Sequence, residues 1–177
     1  MPTEYAQSSL TAEELPPPAA LLHAFREPDT AEQQRHRVLH AARRLVECHE
    51  QRGRALERLH APGACSTHVA AYSQLLEDID GRRAEWVGYI DSWVTTNVEH
   101  RAGASVHTET LGAVIDRIAA KWVAAQRSLT DNKKEQPHPA QGDGEAHLHW
   151  TRLAELIDGY QDLITDVIEH RRRLPVW

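Results

Sequence analysis

The sequence predicts an all-α protein, an antiparallel up-down-up-down four-helix bundle with a short N-terminal extension. Three observations carry that reading. Apolar residues recur at three- and four-residue steps through four long segments. No stretch of useful length alternates with the period of a strand, and no internal repeat is present. Two short connections and one longer one suit helices that run up and down in turn. At 177 residues the chain is about one domain long, enough to bury a core of its own.

Residues 1–29 read as a flexible tail ending in Pro16-Pro17-Pro18, with a short helix through Leu21, Leu22 and Phe25. Residues 30–177 read as the bundle. Thr30 and Gln33 form a capping box for the first long helix, and Pro28 keeps the chain before it non-helical. The apolar stripe of that helix runs Leu39, Ala42, Leu45, Leu56, Leu59, and Pro62-Gly63 ends it. Ser66 or Thr67 caps the second, whose stripe is Val69, Tyr72, Leu76, Ile79, Trp86, Ile90, Trp93; Arg101-Ala102-Gly103 closes it. The third is expected from about Thr108 to Ser128, burying Leu111, Ile115, Ile118 and Trp122, with Thr108 or His107 as cap. A polar stretch at about 129–144, with two prolines and two glycines, reads as a disordered loop. The fourth helix follows from about Glu145 to Arg172 on Leu153, Leu156, Tyr160, Leu163 and Val167.

Composition narrows the function classes. The formal net charge of −6 gives no basic face for a nucleic acid. The one basic run, Arg171 to Arg173, is expected to close the last helix, where its dipole favours cations. No segment approaches the ~18 apolar residues of a membrane span, and the first residues lack the pattern of a signal peptide. Cys48 and Cys65 have no metal-type spacing and suggest a reducing cytoplasm.

The informative residues are those that interrupt the apolar stripes. Leu45, His49, Arg52, Leu56 puts a histidine and an arginine on the core face of the first helix, and Ile79, Arg83, Trp86 puts an arginine on that of the second. A buried arginine needs a carboxylate or an anionic ligand, since removing the partner of a buried charge costs about 3–5 kcal/mol. Two readings stand: a structural ion pair with Glu50, Glu85 or Asp80, or a polar pocket between helices. A hairpin centred near residue 104 would gather His100, His107 and Glu109 at one end of the bundle, beside His36, His40, Glu169 and His170. His36 and His40 are four residues apart on one helical face, a spacing that suits a divalent metal; the 12 histidines raise that expectation, with His100 as a third ligand. Paired Glu-x-x-His motifs of a di-iron bundle are absent, as are a nucleophile elbow, a Walker loop and a dinucleotide fingerprint. His49 adjoins Cys48, but neighbours in a helix point about 100° apart, which counts against their acting as a pair.

The run HTETLGAVIDRIA, His107 to Ala119, resembles the most recognisable segment of an uncharacterised bacterial family, domain of unknown function 4254, whose members carry Asn-Thr-Glu-Thr-Pro-Gly and then Ile-Asp-Arg. Thr108, Glu109, Thr110, Gly112, Asp116 and Arg117 match; His107 replaces the asparagine and Leu111 the proline. Arg82 to Asp91, RRAEWVGYID, is similar to a second family segment through Arg82, Arg83, Ile90 and Asp91, with Glu85 a conservative change and Ala84 and Gly88 departures. Glu50 and Arg54 stand where the family tends to have an acid and an arginine. The resemblance spans roughly 35–175 and implies a helical bacterial protein, with no chemistry attached.

The expectation from these features is a small bacterial enzyme that acts on an organic metabolite, in specialised biosynthesis, by acid–base or metal-assisted chemistry between helices. Glu109, Asp116, His49 and His107 are the candidate catalytic groups. Arg83, Arg52, Gly112, Trp86 and Arg117 are the candidate substrate-binding residues, Gly112 because its ~1 kcal/mol helix cost implies a close contact or room for a ligand. Glu109, Gly112 and Asp116 are expected to share a helical face. The cofactor is a divalent metal, haem or none. The competing expectation is a non-catalytic ligand- or partner-binding bundle, such as a homodimer.

Overall fold

The computed structural model describes residues 14–27, 36–63, 65–132 and 139–175, without the side chains of 131–132, 139–143 and 145. Among these residues the protein is mostly helical, with almost no strand. The elements are α1 (Pro18–Arg26), α2 (Arg37–Leu59), α3 (Ser66–Asn97), β1 (Ser105–Val106), α4 (Leu111–Asn132), α5 (Pro139–Ile168) and β2 (Arg172–Arg173). α2 packs on α3 and α4, α3 on α4, and α4 on α5, while α1 bridges α2 and α5.

The apolar periodicity places the core. Leu39, Ala42 and Leu45 of α2, Ile90 and Trp93 of α3, Leu111, Ile115, Ile118 and Trp122 of α4, and Leu153, Tyr160, Leu163 and Val167 of α5 are all buried in one cluster. α1 contributes Leu21, Ala24 and Phe25 to the same cluster. The Tyr160 hydroxyl, fully buried, donates to the Pro16 carbonyl at 2.7 Å and so fastens the chain ahead of α1 to α5. Burial pushes that phenol well above its ordinary range. The first half of α3 departs from the expected stripe: Val69 is exposed and Tyr72 and Leu76 are only half-buried.

Element ends differ from the sequence reading in ways that have local causes. The Thr30–Gln33 capping box lies outside the described residues; α2 begins at Arg37 after an extended His36. α3 starts one residue earlier than its hydroxyl caps imply, with Cys65 at the cap position and Ser66 already helical. The cap of α4 is Thr110, whose hydroxyl accepts from Ala113 N–H at 3.2 Å, not Thr108 or His107. The loop expected at 129–144 is shorter, since α4 runs to Asn132 and α5 starts with Pro139; a proline is well tolerated in a first helical turn, where its missing N–H has no partner to lose. Residues 133–138 of that loop lie outside the described residues.

α5 ends at Ile168 in a Schellman motif. His170 takes a left-handed φ of 56°, its N–H donates to Val167 O at 3.1 Å, and Arg171 N–H donates to Asp166 O at 2.8 Å. The arginine run therefore lies beyond the helix and does not complete it. Arg171 folds back to pair with Asp166 and Glu169, while Arg172 and Arg173 form β2, parallel to β1, with Ser105 opposite Arg172 and Val106 opposite Arg173. Strands of two residues leave no period to read.

Where α3 meets α4 the backbones come close. A Cβ on Gly112 would lie 2.5 Å from Val87 O and 2.9 Å from Asp91 Oδ1, nearer than packed atoms approach. The glycine makes room for Asp91, whose Oδ1 accepts from the Gly112 N–H at 2.8 Å. Gly112→Ala is expected to destabilise the protein by about 1–3 kcal/mol through overpacking of this joint, which a thermal melt reads as a drop of ~2–4 °C per kcal/mol.

Candidate functional site

The stripe-breaking residues converge. His49 Nε2 lies 2.8 Å from Asp116 Oδ1, and Arg83 Nε donates to both oxygens of the same carboxylate at 3.0 and 3.2 Å. Arg83 Nη1 donates at 2.7 Å to Asp80 Oδ1, which also accepts from Arg52 Nε at 3.1 Å. The result is an alternating chain, Arg52–Asp80–Arg83–Asp116–His49, drawn from α2, α3 and α4. With a neutral imidazole its charges balance, and each carboxylate is held from two sides.

Depth varies along the chain. The His49 and Asp116 side chains are 13% and 15% exposed, Arg83 is 31% and Arg52 38%. The arginines thus sit at the margin of the helix interface, not in the core as their stripe positions imply. Their partners are Asp80 and Asp116, with neither Glu50 nor Glu85 among them. Beside the chain, burial pushes the Cys48 thiol up, against the nearby Arg82 charge. It is a packing thiol in a small cluster with Ala55 and Ile79.

Glu109, His107 and Arg117 form a different place. Because α4 begins at Leu111, Glu109 belongs to the preceding turn and does not share a helical face with Asp116; it pairs with Arg117 at 2.7 Å, both well exposed. His107 Nδ1 contacts the Glu109 carbonyl at 2.8 Å, and its backbone N–H donates to Arg173 O at 2.9 Å. An open groove of 420 Å³ beside it is lined by His107, Asp162, Asp166, Arg171 and Arg172. Gly112 packs against α3 as described, and Trp86 is half-buried with its ring edge-on to His40 and Tyr89 at 5.6 and 5.7 Å between centroids.

The histidines considered as metal ligands have separate surroundings. His36 is buried at the start of α2, with Nε2 2.9 Å from Glu14 O and its ring 5.7 Å from that of Trp93. His40 packs on Trp86, and His100 has both ring nitrogens buried without a hydrogen-bond partner among the described residues. Among the described residues no three His, Cys, Asp or Glu side chains gather in a way that could hold a metal ion.

Residues 39–176 match a family model described as a protein of unknown function, DUF4254. The chain belongs to the DUF4254 family. No curated protein and no solved structure matches it. The two DUF4254-like segments turn out to face each other: Arg83 binds Asp116, and Asp91 binds Gly112 and Thr110. Asp91 was visible as a matching residue but had no partner in the sequence, because a contact across 21 positions leaves no local pattern. Asp80 carried a local signal, standing three residues before Arg83 on α3. No helix among the described residues is long and apolar enough to cross a membrane.

Burial pushes the Asp91 carboxyl up from its ordinary 3.8, against the opposing pull of the Gly112 N–H and Thr110 hydroxyl. The folded protein therefore holds this proton more tightly than the unfolded chain, and the stability it supplies is lost as pH rises through the folded pKa. Wild-type protein should lose stability relative to Asp91→Asn as pH climbs above ~4. Melting both proteins from acidic to neutral pH checks this; parallel profiles would contradict it.

Proposed function

We propose that the protein is a small bacterial enzyme that performs acid–base chemistry on an organic metabolite, with His49 as the proton carrier. The observation that carries this reading is the His49–Asp116 dyad. If Nε2–H donates to Asp116, the imidazole presents Nδ1 as a lone pair in one fixed orientation, and Nδ1 has no protein partner among the described residues. Arg83 holds Asp116 in place and so acts as a positioning residue. Imidazole is the usual side chain for moving protons near neutrality. Acid–base chemistry is favoured over a metal-assisted version because His36, His40 and His100 do not converge. Glu109 and His107, on the other side of the α4 start, are secondary candidates tied to the groove near β2.

In the same reading the four long helices run up and down in turn. Partner pairs across α2 and α3 run in opposite chain senses, Arg52 with Asp80, His40 with Trp86 and His36 with Trp93, and so do Arg83–Asp116 and Asp91–Gly112 across α3 and α4. The second reading, a partner-binding or self-associating bundle, is favoured by one observation: Val69 and Leu75 on the first half of α3 are each 40% exposed.

The two readings separate by turnover. Incubated with a bacterial metabolite extract, wild-type protein should consume at least one small molecule, and His49→Gln and Asp116→Asn should each slow that consumption about 100-fold or more. Equal consumption by all three proteins, or none by the wild type, would refute the acid–base assignment.

A further inference from the structure

A second open groove lies between α2 and α4, further along both helices than the dyad. Its volume is 270 Å³, and it is lined by Glu50 and Arg54 from α2 and Trp122, Val123, Gln126, Arg127 and Thr130 from α4. Glu50 follows His49 in the chain, and Trp122 stands six residues, about 9 Å of helix rise, beyond Asp116. Both helices therefore lead from the dyad to this groove in the same direction along the chain.

The charges in the groove are arranged unusually. A glutamate four residues ahead of an arginine on one helix would ordinarily pair with it. Here Glu50 and Arg54 border the same space, yet no ion pair joins them and neither has another ion-pair partner among the described residues. The remaining cation is already committed: Arg127 crosses α2 over Gly53, where any Cβ would collide with its guanidinium, and pairs with Glu57. On the opposite side stand Trp122 and Val123, core residues that are 5% and 6% exposed and show only their edges to the groove.

An unpaired carboxylate and an unpaired guanidinium bordering one space match one class of small molecule. We propose that this groove binds an α-amino acid. Its carboxylate would meet Arg54, its ammonium Glu50, and its side chain the edges of Trp122 and Val123. The Gln126 amide can meet a further polar group, while the Thr130 hydroxyl already donates to the Gln126 carbonyl at 3.2 Å. A volume of 270 Å³ holds about nine water-sized groups, the size of leucine. This deepens the acid–base reading by naming the substrate class, and it rests on that reading only for the claim that the bound molecule is turned over.

Isothermal titration of the full chain tests it, with L-leucine, 4-methylpentanoate, which lacks the ammonium, and 3-methylbutylamine, which lacks the carboxylate. Wild-type protein should bind leucine more tightly than either analogue. Arg54→Met and Glu50→Gln should each weaken leucine by about tenfold or more, and Glu50→Gln should leave 4-methylpentanoate unchanged. Both side chains are outside the core, so the variants are expected to fold, which circular dichroism verifies. No leucine binding, equal binding of leucine and 4-methylpentanoate, or wild-type affinity in both variants would overturn the proposal. His49→Gln should bind leucine as the wild type does. Full leucine binding with undiminished metabolite consumption in His49→Gln would sink the acid–base reading and leave the amino-acid site standing.

Discussion

One carboxylate does the joining in this protein. Asp116 on α4 receives Arg83 from α3 and His49 from α2, so three helices meet on two oxygen atoms. An aspartate that is only 15% exposed is costly to desolvate, and the cost is offset only while both partners keep their geometry. That requirement constrains how the helices sit. α3 must approach α4 closely enough for Arg83 to reach, and Gly112, which lets Val87 and Asp91 pack against the start of α4, permits the approach. The imidazole is oriented by the same contact, so the structural tie and the proposed catalytic group are one arrangement.

The helical architecture was legible because burial of one face imposes a period that local sequence cannot hide. The stripe of α4 is buried in full, and most of that of α5 with it. Errors came where local rules compete or tertiary contacts decide. At α3 and α4 several hydroxyls stand near the boundary, Ser66 and Thr67 in one and Thr108 and Thr110 in the other, and at α4 only the accepted hydrogen bond distinguishes Thr110 from Thr108. The run Arg171–Arg173 suits a helix end on dipole grounds, but His170 adopts a left-handed turn and the chain leaves the helix before the arginines. Burial of Leu174 and of α1 in the main core depends on neighbours far along the chain, which no local pattern encodes.

The candidate site was legible in part for a similar reason. His49, Arg52 and Arg83 stood out as polar residues at core positions, and the structure explains them with two aspartates. Asp80 belonged to the same helix as Arg83 and could be suggested in advance; Asp116 lay 33 residues away and entered through the family-like segment instead. Grouping Glu109 with Asp116 failed because α4 starts at Leu111, which leaves Glu109 in the turn beside Arg117. The groove of Glu50 and Arg54 was not anticipated, since an i,i+4 glutamate–arginine pair reads as a solvated surface pair until α4 is placed opposite it.

The account stands on the energetic coupling of Arg83 to Asp116. A double-mutant cycle with Arg83→Met, Asp116→Asn and the combined variant, followed by denaturant unfolding, measures it without knowledge of a substrate. A favourable coupling of about 1–2 kcal/mol is predicted, within the range for directly bonded partners in one network. Additivity of the two single substitutions to within ~0.3 kcal/mol would show that Asp116 does not tie these helices together.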